Sequence, residues 1–168
     1  MMMRKILVAV DGTTVAREAA RVGLELAERL SARVTLLHVL PPSLAEEGSA
    51  PEFAAFEQAC EQYARELLEE VLLLTGRPGP RIDTVVLHGE PASAIIQEAE
   101  AKDFDLVVLG TRARGALART LLGSVADEVI RHCHRPVLVV PESAQRVYTQ
   151  AEGGAESASE PSLTLRQA

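Results

Sequence analysis

The chain has 168 residues, a formal charge of −7, 47% hydrophobic residues and 24% charged residues, values that fit one domain around an aliphatic core. With three Phe, two Tyr and no Trp, it lacks a base-stacking platform for a nucleic-acid polymer, and its acidity argues against broad phosphate-backbone binding. No run of about 18 uncharged apolar residues suggests a membrane span, the start MMMRKILVAVDG lacks a cleavage site, and Cys60 and Cys133 are too few for a disulfide framework, so the cytoplasm is expected.

The first predicted strand is the continuous apolar run Ile6–Val10, of the kind buried on both faces. Val15, Ala19, Val22, Leu26 and Leu30 recur at helical spacing and predict the first helix. Arg33–Val39 reads as a second strand, and the Pro, Gly and Ser content of residues 40–52 reads as a loop. Phe56, Cys60, Tyr63, Leu67, Val71 and Leu74 mark one face of a long second helix, stopped by TGRPGP. Ile82–His88 is a third strand. Pro91 suits the first turn of a third helix, where its missing N–H has no partner, and Ile95, Ile96 and Ala99 form that helix's apolar side. DLVVLG is a fourth strand; Leu122, Val125, Ala126, Val129 and Ile130 describe a fourth helix; Pro136–Pro141 is a fifth strand. Strict alternation of strand and helix implies an α/β domain over residues 1–141. The expected form is a doubly wound, five-stranded parallel sheet with right-handed crossovers, in the order 3-2-1-4-5. Residues 142–168 are small, polar and rich in Gly, Ser and Glu, the composition of a mobile tail.

Such sheets bind ligands beyond the carboxyl ends of their strands, where the strand order switches. Here that place lies beside the loops beginning at Asp11 and Gly110. The second loop, GTRARGALARTLLGS, is basic in an acidic chain: it holds Gly110, Gly115, Gly123, Arg112, Arg114 and Arg119, and no acid lies between Asp105 and Asp127. It runs into a predicted helix start at Gly123–Ser124, whose unpaired N–H groups and partial positive charge suit phosphate. It is no P-loop, because Ala116 and Leu117 stand where the lysine and hydroxyl belong, and the single Gly12 after the first strand excludes a dinucleotide fingerprint. Two structural roles compete with ligand binding: Ser124 as an N-cap with Asp127 as its capping-box partner, and Asp11 as the opener of a DGT turn.

The strings KILVAVDGT, LLHV, HGEPASAII, DLVVLGTRARG and LLGSVADEVIRHCHRPVLVV resemble the universal stress protein family over residues 4–141. The ATP-binding subgroup carries G-x2-G-x9-G-[ST]. Gly110, Gly123 and Ser124 match it, and Ala113 stands where its middle glycine belongs. The resemblance implies a flavodoxin-like sheet with ATP at the switch point. Asp11 would contact ribose or base; in an enzyme reading it would also hold a Mg²⁺ ion. The backbone of Val39 would read the adenine edge, and Ala9 and Leu109 would line the base pocket. Gly110, Gly123, Ser124 and Val125 would hold ribose and phosphates, with Arg112, Ala113, Arg114 and Gly115 in the adjoining loop. It also implies a homodimer through Pro136–Val140.

Three functions from different classes are compatible with these residues: a homodimeric stress sensor or adaptor regulated by ATP, a nucleotide-free structural dimer closed by Ala113, and a weak ATPase or autokinase using Asp11. Catalysis has the least support, since Asp11 is the only acid expected near the phosphates. Adjacent His132, Cys133 and His134 point in different directions on a helix and suit its C-terminal dipole better than a metal. His38 and His88, at strand ends, are expected to make structural hydrogen bonds, and Cys60 is expected to pack in the core.

Overall fold

A computed structural model describes residues 3–42, 51–73, 81–111 and 123–142. In chain order the elements are β1 (Lys5–Ala9), α1 (Thr14–Leu30), β2 (Arg33–Leu40), α2 (Pro51–Leu73), β3 (Ile82–His88), α3 (Pro91–Ala101), β4 (Leu106–Thr111), α4 (Ser124–His132) and β5 (Val137–Pro141). The strands form one parallel sheet in the order β3-β2-β1-β4-β5, as expected from the alternation. Residues 143–168, the expected tail, lie outside the described residues.

Because successive side chains of a strand point to opposite faces, each central strand feeds two cores. Ile6, Val8, Val34, Leu36, Leu106 and Val108 pack with α1 and α2. Leu7, Leu37, Val107 and Leu109 pack on the other face with Ile95 and Ala99 of α3 and Ala126 and Val129 of α4. Helices therefore cover both faces, which is why the strands read as unbroken apolar runs.

Two expectations are corrected. The second helix begins at Pro51, inside the segment 40–52 read as a loop; proline is tolerated at a helix start for the same reason as Pro91. The apolar face of α2 is also not buried throughout. Ala64, Leu67, Leu68 and Val71 are buried, but Phe56 is 57% exposed and Tyr63 54% exposed. Length explains part of this: 23 helical residues span about 35 Å and the eight residues of β2 about 26 Å, so roughly six residues of α2 extend beyond the strand. Cys60 is half-buried rather than in the core. No helix among the described residues is long and apolar enough to cross a membrane.

Candidate functional site

The carboxyl ends of β1, β2 and β4 converge where the sheet order switches between β1 and β4. A cleft of about 190 Å³ opens there. Ala9, Val10 and Asp11 form one side of it, and Leu37 and Val39 of β2 form the floor with Gly110 of β4. Ala16, Pro91 and Val125 complete the walls from the first turns of α1, α3 and α4, with Ile95 one turn on from Pro91. Three helix N-termini, each a source of partial positive charge, thus surround one apolar-floored cavity.

The three helix starts differ in what already occupies them. At α1 the N-cap Thr13 accepts a hydrogen bond from the Ala16 N–H through Oγ1. Its own hydroxyl and N–H donate to Asp11 Oδ1, at 2.6 and 3.0 Å. The turn-forming role foreseen for Asp11 is therefore present, and the same residue borders the cleft. At α3 the Glu90 carboxylate accepts from the Ser93 N–H at 2.8 Å and the Ala92 N–H at 3.2 Å. These backbone donors, Ser93 first, hold the Glu90 carboxyl below its ordinary value. At α4 the N-cap is Gly123, with φ +80°, and no side chain caps the first turn. The alternative of Ser124 as N-cap is not what forms: Ser124 is the first helical residue, and Asp127 accepts from Arg131 Nε at 2.7 Å. Among the described residues, then, one of the three starts has no capping side chain, its first-turn Asp127 being paired with Arg131, and it belongs to the helix that contributes Val125.

A second polarity comes from strand geometry. Backbone groups alternate sides along a strand. The Leu37 carbonyl faces β1, accepting from the Val10 N–H at 2.8 Å, while the Leu40 carbonyl faces β3, accepting from the Gly89 N–H at 2.9 Å. Val39 therefore turns its backbone toward β1, but pairing of β1 with β2 ends at Ala9 and Leu37. The Val39 edge borders the cleft at a place where the ladder has stopped.

Of the site residues expected from sequence, the structure brings Ala9, Asp11, Val39, Gly110 and Val125 together in these walls. Gly123 and Ser124 adjoin Val125 and are exposed. Leu109 is not a wall: it is buried, in the core with Ile95 and Ala126. Arg112, Ala113, Arg114 and Gly115 lie outside the described residues. Val10, Ala16, Leu37, Pro91 and Ile95 are walls that the sequence reading missed. Alternation was an available signal for Leu37, which shares a face with Val39; position in the first turn of a helix was one for Ala16, and i, i+4 spacing from Pro91 was one for Ile95.

The histidines take structural partners. His38 Nδ1 lies 2.6 Å from the Val10 carbonyl, His88 Nδ1 3.2 Å from that of Pro41, and His132 Nδ1 3.0 Å from that of Glu128. His134 pairs with Glu100 Oε1 at 2.8 Å. Among the described residues, no three His, Cys, Asp or Glu side chains group as a metal site. A second cleft, of about 220 Å³, lies between Leu40, Phe56, Cys60 and His88.

Residues 2–141 match the model of the universal stress protein family. A universal stress protein of Methanocaldococcus jannaschii is 37% identical over 141 residues, which cover 82% of this chain and 81% of the relative. The fold is shared with a universal stress protein solved in complex with cAMP, at 22% identity and TM-score 0.62 over 84% of this chain and 98% of that one. It is shared too with one from Archaeoglobus fulgidus solved with dAMP, at 23% identity and TM-score 0.56 over 83% and 99%. By its sequence and its match to the family model, the chain belongs to the universal stress protein family.

Proposed function

We propose that the cleft binds an adenine nucleotide, with ATP as the regulatory ligand of a cytoplasmic, homodimeric stress sensor or adaptor. The observation that carries this reading is the first turn of α4, uncapped among the described residues, beside a cavity whose other two helix starts are capped by Thr13 and Glu90. The N–H groups that open α4 suit polyphosphate. The base belongs at the other end of the cleft. Leu37, Val39 and Ile95 offer an apolar slot, and the free edge of Val39 offers the adenine ring a donor and an acceptor.

Asp11 lies between these ends. Its Oδ1 is held by Thr13, and Oδ2 has no partner among the described residues, which suits a ribose hydroxyl. Among the described residues it is also the only carboxylate in the cleft walls. Mg²⁺ is usually bound through phosphates, waters and one or two carboxylates, so a Mg²⁺ carried by the nucleotide fits this donor set, with Asp11 as its protein ligand. Bound metal would neutralise phosphate charge; Asp11 itself orients the sugar. The cAMP and dAMP of the two relatives that share the fold agree with an adenine ligand. Dimerisation is assigned to β5, an edge strand paired on one side only.

Calorimetry of the full chain with ATP, with and without Mg²⁺, tests the reading. Saturable heat and a raised melting temperature are expected. Neither at millimolar ATP would leave the protein a nucleotide-free structural dimer. ATP turnover abolished by Asp11→Ala would make it an enzyme instead.

A further inference from the structure

Asp11 is gripped from behind. The residue before it, Val10, lies one position past the last β1–β2 pair, and its carbonyl is met by a side chain rather than by the ladder: His38 Nδ1 approaches it at 2.6 Å. A carbonyl only accepts, so this ring nitrogen carries the proton. His38 is 8% exposed and points to the α1/α2 face, opposite the floor residues Leu37 and Val39. The residue after Asp11, Gly12, is covered from the same face. It has φ +80°, and a Cβ there would lie 2.5 Å from Tyr63 Oη. The rings of His38 and Tyr63 meet edge to face, with centroids 6.3 Å apart. Tyr63 belongs to α2, and Arg17–Glu70, at 3.0 Å, fastens the same helix to α1.

We propose that His38 and Tyr63 are positioning residues of the cleft, holding the β1–α1 turn from the face opposite the ligand and tying occupancy of the cleft to α2. This rests on the nucleotide reading above. By taking the Val10 carbonyl, His38 lets β1 part from β2, which leaves the Val39 edge open and turns Asp11 to the cleft. A ligand that draws on Asp11 moves Gly12 against Tyr63, and Tyr63 passes that displacement to the exposed Phe56–Tyr63 surface of α2.

Two polar substitutions separate positioning from packing. In His38→Asn the side-chain amide stands near the place of Nδ1; in His38→Gln the donor lies one bond farther out. Calorimetry with ATP on the wild-type chain comes first, and absence of heat there ends the nucleotide reading itself. With binding established, His38→Asn is expected to stay within about threefold of wild type and His38→Gln to weaken binding about tenfold, the effect of one displaced hydrogen bond. The chain has two tyrosines and no tryptophan, so Tyr148→Phe leaves Tyr63 as the only tyrosine ring. Its ¹³C-labelled NMR signals are expected to shift on saturation with ATP. Equal affinity of the two His38 variants, or a Tyr63 signal that ATP leaves unmoved, overturns the proposal while the nucleotide reading stands.

Discussion

Gly110 lies so close to Val15 that a Cβ at position 110 would come within 2.8 Å of the Val15 carbonyl oxygen. The first turn of α1 rests on the end of β4, and only a bare Cα fits under it. The first glycine of the nucleotide motif therefore has a packing reason of its own, independent of phosphate. Gly110→Ala should cost about 1–3 kcal/mol by overpacking, read as a lowered urea midpoint, and should weaken ATP binding by shifting α1 away from the cleft. An unchanged midpoint would show that α1 can retreat freely.

Gly123 is a different case. Among the described residues a Cβ there would meet nothing nearer than Thr111 Oγ1, at 3.7 Å, but φ is +80°. The conformational strain of Gly123→Ala is about 1–2 kcal/mol. Denaturation should show that loss, and ATP affinity should fall with it, because relaxing φ turns the first N–H groups of α4. Ala113→Gly is the reverse test: if alanine is strained in the bound loop, the glycine variant should bind ATP more tightly by calorimetry.

Asp11→Ala removes both acceptor bonds to Thr13 and should cost about 1 kcal/mol of α1 capping. Asp11→Asn keeps an acceptor for Thr13 and should fold with near-native stability. If ribose is held through Oδ2, Asn should retain most of the ATP affinity that Ala loses; comparable loss in both variants would assign the role to charge, and so to Mg²⁺.

Acid should unfold the protein partly through two carboxylates. Glu90 is held below its ordinary 4.5 by the Ser93 and Ala92 N–H groups, and Asp105 below 3.8 by the Arg4 and Lys5 N–H groups, which fasten β1 to the start of β4. A depressed folded-state pKa stabilises above the unfolded value, and that contribution is lost as pH falls through the folded value. Stability should thus be level from pH 7 to about 5 and fall below pH 4.5. Glu90→Gln and Asp105→Asn should each be less stable at pH 7 and show a shallower acid limb in urea titrations.

The free edge of β5 makes dimerisation testable by one residue. The Pro136 carbonyl faces β4, accepting from the Val107 N–H, so by alternation the Val139 N–H faces outward. Val139→Pro removes an outward donor and spares the β4 ladder, which an edge strand tolerates. Sedimentation should show a folded monomer; a dimer of unchanged strength would place the interface elsewhere.

The fold was legible because burial on both sheet faces writes itself as apolar runs, such as Ile6–Val10, separated by helix-spaced apolar residues. The exposed part of α2 was not legible: Phe56 and Tyr63 have the same spacing as Leu67 and Val71, and spacing alone does not tell which are covered. The position of the cleft was legible where topology dictates it, at Asp11 and Gly110, while Val39 and Val125, which also line it, were reached only through the family resemblance. The site was illegible where two capping residues compete. Ser124 with Asp127 looks like a capping box, yet Gly123 takes the cap position and Asp127 goes to Arg131.

The central claim is that the open start of α4 receives polyphosphate. Backbone ¹H–¹⁵N spectra of the full chain, titrated in parallel with ATP and with adenosine, test it most directly. The amides of Ser124, Val125 and Ala126 should shift with ATP and stay nearly still with adenosine, while the Val39 amide shifts with both. ATP that binds but leaves those three amides in place would contradict it.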